Sequence, residues 1–280
     1  MAEIELYAIL FGLGAAVCWG AGDFSGGVAT KRSRVLGVAM ISQVAGIILL
    51  MLSAMAYGEV MPEKGNILWG ALAGISGGIG LLALYHSLSV SRMGVVAPVA
   101  AVSSAIIPVA FGMLLEGFPA AGRMLGFMFA FTGVWLITKE GNGTRFDLKN
   151  LKLPVLAGIG FGLFMIFIDR IEGDAIFWPL VGARIASLTM FAAASLWTSR
   201  REIPEAGHLP LIVLAGVFDT GGNVFYALAA HAGRLDVAAI LTSMYPAATV
   251  LLAWMLLKER LSRSQWLGVF AVLIAVVLIA

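Results

Sequence analysis

Three polar side chains stand inside stretches of sequence that are otherwise apolar. Asp219 lies about ten residues into the run 209–230, about 15 Å deep at 1.5 Å per residue. Asn223 follows at i+4, so the two side chains share one helix face. Arg184 lies about nine residues into the run 175–198, about 14 Å from the opposite surface. The two runs are consecutive and therefore antiparallel, which brings Arg184 and Asp219 to similar depths. A lone charge that deep in hydrocarbon costs at least about 2.5–3.5 kcal/mol, so Asp219 must be paired, hydrated or protonated. Pairing with Arg184 lowers the cost of each. The chemistry this allows is a reversible ion pair, in which a solute or a proton competes for the carboxylate while the guanidinium responds. A fixed structural contact between helices is the alternative use of the same residues.

Other candidates come from position. Aligning Gly12 and Gly14 with Gly158 and Gly160 gives an offset of 146, which carries Asp23 onto Asp169. Both acids are then expected to end the first helix of a repeated unit, on opposite membrane faces. They would act as gate or entry groups, with Arg170 beside Asp169; solvated helix ends account for the same charges. Gln43 is the uncharged counterpart of Arg184. Trp19 is too deep for the headgroup level, and its N–H needs a partner when buried. It either stacks on a solute or packs, and Tyr85, Tyr226 and Tyr245 carry the same two readings. Pro98 and Pro246 remove backbone donors and can kink their helices; with Gly77 and Gly78 they are the expected hinges. Gly22/Gly26, Gly74/Gly78 and Gly158/Gly162 have the four-residue spacing that lets lipid-embedded helices approach closely.

The composition says where these residues live. The chain has 280 residues, is 60% hydrophobic and 12% charged, against about 25% charged for soluble domains. A mean hydropathy of +0.97 means more apolar surface than one globular core can bury. The single Cys18 excludes an internal disulfide and a cysteine metal cluster, and His86, His208 and His231 have no ligand spacing. No Gly-x-x-x-x-Gly-Lys loop is present, so no ATP is expected. No His-Glu-x-x-His, Asp-rich diphosphate motif or Ser/His/Asp set at one depth occurs either. The expectation is therefore no cofactor, no nucleic acid and no enzyme. The expected partners are the lipid bilayer and a small-molecule substrate, with protons as the coupling ion. The start, Met1-Ala2-Glu3-Ile4-Glu5, lacks a basic n-region, so the first span is expected to be retained.

A helix needs about 20 apolar residues to span the hydrocarbon. Ten candidates lie near 6–27, 35–57, 66–88, 94–115, 122–138, 153–170, 175–198, 209–230, 236–257 and 265–280. The expected fold is all-α and membrane-integral. Loops after the odd-numbered spans hold thirteen basic residues and the opposite loops four, Lys64, Arg123, Arg170 and Arg234. The positive-inside rule then puts both termini outside the cytoplasm.

The spans also repeat. Leu115-Glu116 closes one long apolar segment and Leu257-Lys258-Glu259-Arg260-Leu261 another, with the two glutamates 143 residues apart. Residues 1–138 form a first five-helix repeat, 139–152 a connecting loop and 153–280 a second repeat. Five is odd, so the second copy sits upside down, an arrangement that places binding near the bilayer midplane and lets access alternate.

Trp19-Gly20, the Glu116 element followed by Gly126 and Gly133, and Pro246 followed by Glu259-Arg260-Leu261 and Gly268 carry a resemblance over nearly the whole chain. With the five-plus-five plan, the sequence resembles the EamA branch of the drug/metabolite transporter superfamily. That likeness implies a ten-helix basket moving small metabolites, amino acids, amines or drugs, often outward across the plasma membrane. It also implies a central cavity lined by spans 1, 3, 4, 6, 8 and 9, and termini in the cytoplasm, against the charge count. Ser103 stands where the second copy has Pro246. The expected mechanism is alternating access by rocking one five-helix bundle against the other. A lipid or lipid-linked-sugar flippase would instead need an apolar lateral opening, and an intramembrane enzyme would need two catalytic groups within reach of each other.

Overall fold

The computed structural model describes residues 2–90, 93–138, 151–198, 204, 206–257 and 262–279. They form helices α1 (Ala2–Thr30), α2 (Val35–Tyr57), α3 (Lys64–Val90), α4 (Met93–Glu116), α5 (Ala121–Thr138), α6 (Lys152–Asp169) and α7 (Phe177–Thr198). A short 3₁₀ turn, Ala206–His208, leads into α8 (Leu209–Ala232), followed by α9 (Leu235–Thr242), α10 (Tyr245–Leu257) and α11 (Arg263–Ile279). No strand occurs among the described residues. The expected connecting loop lies almost wholly outside the described residues, as do Lys258, Glu259, Arg260 and Leu261.

Nine of the expected spans correspond to single helices, and the ninth in order is divided between α9 and α10. The break falls at Ser243–Met244, two residues before Pro246, which has no N–H to return to Thr242. Met244 N–H bonds Leu241 O at 3.2 Å and Ala247 N–H bonds Met244 O at 2.9 Å, so the chain tightens through this point. Hydroxyls of Thr242 and Ser243 donate to carbonyls of Ala238 and Ala239 at 2.8 and 2.5 Å. Pro98 behaves differently, since α4 runs through it unbroken, as α3 does through Gly77 and Gly78.

Short loops are closed by side chains. Gly58, at φ 65°, ends α2 in the left-handed conformation and donates its N–H to Ala54 and Met55 carbonyls. Glu59 then accepts the N–H groups of Ile176, Phe177 and Trp178 at 2.9, 3.0 and 2.8 Å, capping the start of α7. Glu116 does the same work for α9: it accepts Leu235 N–H at 3.3 Å and pairs with Arg234 at 3.4 Å. Arg234 also holds the buried Asp236 at 2.9 Å.

Helix directions follow from the packed clusters. Phe11 and Ala15, early in α1, belong to the same packed cluster as Ile168, at the end of α6, and Ile171, just beyond it. Ala29, at the end of α1, belongs to the same packed cluster as Leu153 and Ala157 at the start of α6. The first helix of each half therefore runs opposite to the other. Neighbour relations obey the same exchange: α1 on α8 matches α6 on α3, and α1 on α9 and α10 matches α6 on α4. The helices α2 with α7, and α5 with α11, pair with their own counterparts. Most packing is thus between halves. The two five-helix units are interwoven, not two separate bundles. The contiguous lobes are α1 with α8–α10 and α6 with α3–α4.

Glycines make this interweaving close. At Gly70 and Gly74 a Cβ would strike the Pro179 and Ala183 carbonyls of α7, and at Gly158 it would strike Ser103 of α4. At Gly22 it would sit 3.2 Å from the Asp219 backbone nitrogen. Each expected small-residue pair thus faces a neighbouring helix.

Among the described residues, seven helices are long and apolar enough to cross a membrane: α1, α2, α3, α4, α6, α7 and α8. Within α5 and α11 the apolar stretches are shorter, Ala121–Leu136 and Arg263–Ala275. Large apolar side chains such as Leu52, Met55, Leu114 and Leu196 face outward, and Trp135, Trp197 and Trp266 are exposed near helix ends. Together these make a multi-pass membrane protein.

Candidate functional site

Between the two lobes lies a cavity of about 640 Å³, its open mouth included. Its walls differ in chemistry. The α1–α8–α10 lobe contributes Trp19, Asp23, Asp219, Asn223 and Tyr245. The opposite lobe contributes Gly77, Gly78 and Leu81 of α3, Ser104 of α4, and Phe161, Phe164 and Met165 of α6. Gln43 of α2 with Arg184 and Ser187 of α7 close it on a third side. One wall is polar and acidic, the facing wall apolar and aromatic. Spans 2 and 7 therefore join the six that the family resemblance implies.

The Arg184–Asp219 pair is made, with Nη1 at 2.6 Å from Oδ2. The same Nη1 donates to Gln43 Oε1 at 3.0 Å, and the Ser187 hydroxyl donates to that oxygen at 3.0 Å. Gln43 and Arg184, counterparts in the two halves, thus meet where α2 and α7 cross. Arg184 is only 3% exposed. Its Nη2 is buried with no hydrogen-bond partner. Such a donor forfeits about 1–3 kcal/mol when left unsatisfied.

Asn223 shares the cavity with Asp219, as their spacing requires, and its Oδ1 accepts the Trp19 indole N–H at 2.9 Å. Gly222 leaves room for that indole, which a Cβ would strike. Trp19 stacks on Tyr226 at 5.9 Å between centroids and meets Phe164 edge-on at 6.4 Å. The Tyr226 hydroxyl donates to Met165 O at 2.9 Å. Tyr226 is fully buried behind Trp19 and does not line the cavity, and Tyr85, its hydroxyl against Gly26, is equally buried. Tyr245 does line it, its hydroxyl donating to Ala97 O at 3.4 Å.

The two acids expected at the gates are not equivalent. Because α1 continues to Thr30, Asp23 lies inside the helix and lines the same cavity as Asp219, not a mouth. Asp169 does end α6, and Arg170 holds it at 2.8 Å, with the guanidinium 5.4 Å from the Phe111 ring centroid. Neither Asp169 nor Arg170 lines the cavity. The glycine alignment relates the backbones correctly but not the surroundings, because α1 continues past Asp23 while α6 stops at Asp169.

Sequence reasoning missed Ser187, Ser104, Phe161, Phe164 and Met165. Ser187 stood three residues after Arg184, on the same face, which was a usable signal. The aromatic wall had none, since Phe161 and Phe164 read as ordinary apolar helix. No group of three or more metal-ligating side chains occurs among the described residues.

Fold and cavity together define a helical membrane protein with a solute-sized, open-mouthed cavity that has one charged wall. The sequence model of the EamA-like transporter family matches residues 6–139 and again 150–280, and the chain belongs to that family. Its fold is similar to that of a solved structure described only as "Crystal structure of protein", with TM-score 0.80, 14% identity, and 97% of each chain covered. No curated protein matches the sequence.

Proposed function

We propose that this chain is a secondary transporter that exports a small metabolite, amino acid, amine or drug from the cytoplasm by alternating access. It would use ten spans arranged as two inverted five-helix repeats and draw on a proton gradient. The observation that carries this reading is the Arg184–Asp219 pair standing in a cavity between lobes built from both halves. A pair kept for stability alone would be enclosed. Here the Asp219 side chain is 23% exposed while Arg184 is 4% exposed, so one partner is open to a solute and the other is held. The facing walls suit an amphipathic molecule, with its polar end on α1 and α8 and its apolar end on Phe161 and Phe164.

The interwoven packing changes which bodies move. The rocking units are the α1–α8–α10 and α6–α3–α4 lobes, each drawn from both repeats, with α2–α7 and α5–α11 as the contacts about which they turn.

The test is uptake into proteoliposomes of solutes first selected by a thermal-shift screen, since ligands of the folded state raise apparent stability. Asp219→Asn is expected to abolish transport or uncouple it from the pH gradient while the protein stays folded. Wild-type rates with intact pH dependence in that variant would remove the assignment.

A further inference from the structure

We propose that Arg234 and Glu116 form a releasable clasp that closes the central cavity at the face where α4 ends and α9 begins. The inference rests on the transporter reading and assigns its gate at that face.

The clasp joins two helix ends, each of which completes the other. Gly117, at φ 80°, follows α4 in the left-handed conformation. Arg234 Nη1 donates to Glu116 O at 3.2 Å and Nη2 to Gly117 O at 2.8 Å, so the guanidinium caps the end of α4. Glu116 Oε1 in turn accepts Leu235 N–H at 3.3 Å and caps the start of α9. Its Oε2 lies 3.4 Å from Arg234 Nε. One turn back on the same face of α4, Gly112 lets the two helices touch, since a Cβ there would lie 3.2 Å from the Asp236 nitrogen.

These bonds cross between the lobes. Helix α4 packs with α6 and α3, while Arg234 stands in the turn from α8 to α9. The Asp169–Arg170 pair joins sequence neighbours and Arg184–Asp219 ties α7 to α8, so neither spans the lobes in this way.

Parting the lobes here strands no buried charge, because Arg234 has one carboxylate from each side. Asp236, fully buried, accepts from Nε at 3.1 Å and from Nη2 at 2.9 Å. It lies two residues away on the same lobe, so the two stay together as a neutral unit. Glu116 is the group released, and its side chain is already 32% exposed, so water replaces the lost partner. A partly exposed pair is held weakly, which suits a contact that must break and re-form in every cycle.

Access to the cavity from each face tests this in the full chain. With Cys18 replaced by Ser, Phe161→Cys puts a thiol in the cavity wall, and a membrane-impermeant methanethiosulfonate labels it in right-side-out or inverted vesicles. A separate marker, Glu63→Cys, exposed just before α3, shows which preparation presents the clasped face. Glu116→Gln keeps an oxygen for Leu235 N–H but removes the charge. It is expected to raise the labelling rate from the clasped face roughly two- to fivefold. Glu59→Gln alters a cap at the same face that joins α7 to the chain after α2, outside the lobes, and should leave labelling unchanged. If Glu116→Gln does not fold, about 1 M salt, which screens a partly exposed pair, should produce the rise in the Phe161→Cys parent. Unchanged labelling in whichever of these is read, or an equal rise in Glu59→Gln, would reduce the contact to a helix cap and overturn the gate. No solute is involved, so the gate can fail while the transporter reading stands, and a failed uptake assay leaves the labelling result intact.

Discussion

Gln43 shows how one uncharged residue can govern a charged site. Its side-chain oxygen accepts from both Arg184 Nη1 and Ser187, which fixes the guanidinium beside Asp219. Gln43→Leu would strip an acceptor from the buried Arg184 Nη1, while the Ser187 hydroxyl keeps the Arg184 carbonyl at 3.0 Å; the lost bond costs about 1–3 kcal/mol. We expect a lower melting temperature and a raised KM for transport, with Gln43→Glu keeping the fold better than Gln43→Leu; a Leu variant with wild-type KM would refute the positioning role. Arg184→Ala is expected to be harsher, about 3–5 kcal/mol, because it leaves the Asp219 charge unpaired. Chemical unfolding of Arg184→Ala beside Arg184→Ala/Asp219→Ala measures this, and the double variant should recover much of the loss.

At the level of elements, the termini and crossings are held by few residues. Glu59 alone satisfies three N–H groups at the start of α7. Its replacement by Ala should cost about 0.5–2 kcal/mol and increase hydrogen exchange at Ile176–Trp178 without altering substrate affinity. Gly74 lies against the Ala183 carbonyl, one residue from Arg184. Gly74→Val overpacks that crossing by about 1–3 kcal/mol or more, and it should impair transport by displacing α7. Equal activity would mean that α3 and α7 can separate without consequence. These crossings were legible in the sequence as glycine pairs at four-residue spacing. The division of α9 from α10 was half legible. Pro246 announced a kink, but Pro98 lies in an unbroken helix, and the difference rests on the tightening at Ser243–Met244.

For the whole molecule, alternating access requires the two lobes to part at one face while they close at the other. Gly112 of α4 and Asp236 of α9 belong to different lobes, and a Cβ at 112 would lie 3.3 Å from that of Asp236, near disulfide spacing. With Cys18 replaced by Ser, cysteines introduced as Gly112→Cys and Asp236→Cys should cross-link and stop transport, and reduction should restore it. Transport through the oxidised form would show that these lobes do not move apart at that face.

Repetition, the helical membrane class and the meeting of Arg184 with Asp219 could be read from the chain alone, because hydropathy, periodicity and charge cost are local properties. Membership of the family's fold followed from the same residues. The enclosure of Asp23 with Asp219, the retreat of Tyr85 and Tyr226 behind the cavity, and the aromatic wall of Phe161 and Phe164 needed the folded chain. So did the interweaving of the two halves. Each of these depends on which helix faces which, and in a protein whose faces are nearly all apolar that choice is made by the packing of backbones across distant segments, which leaves little trace in any one of them.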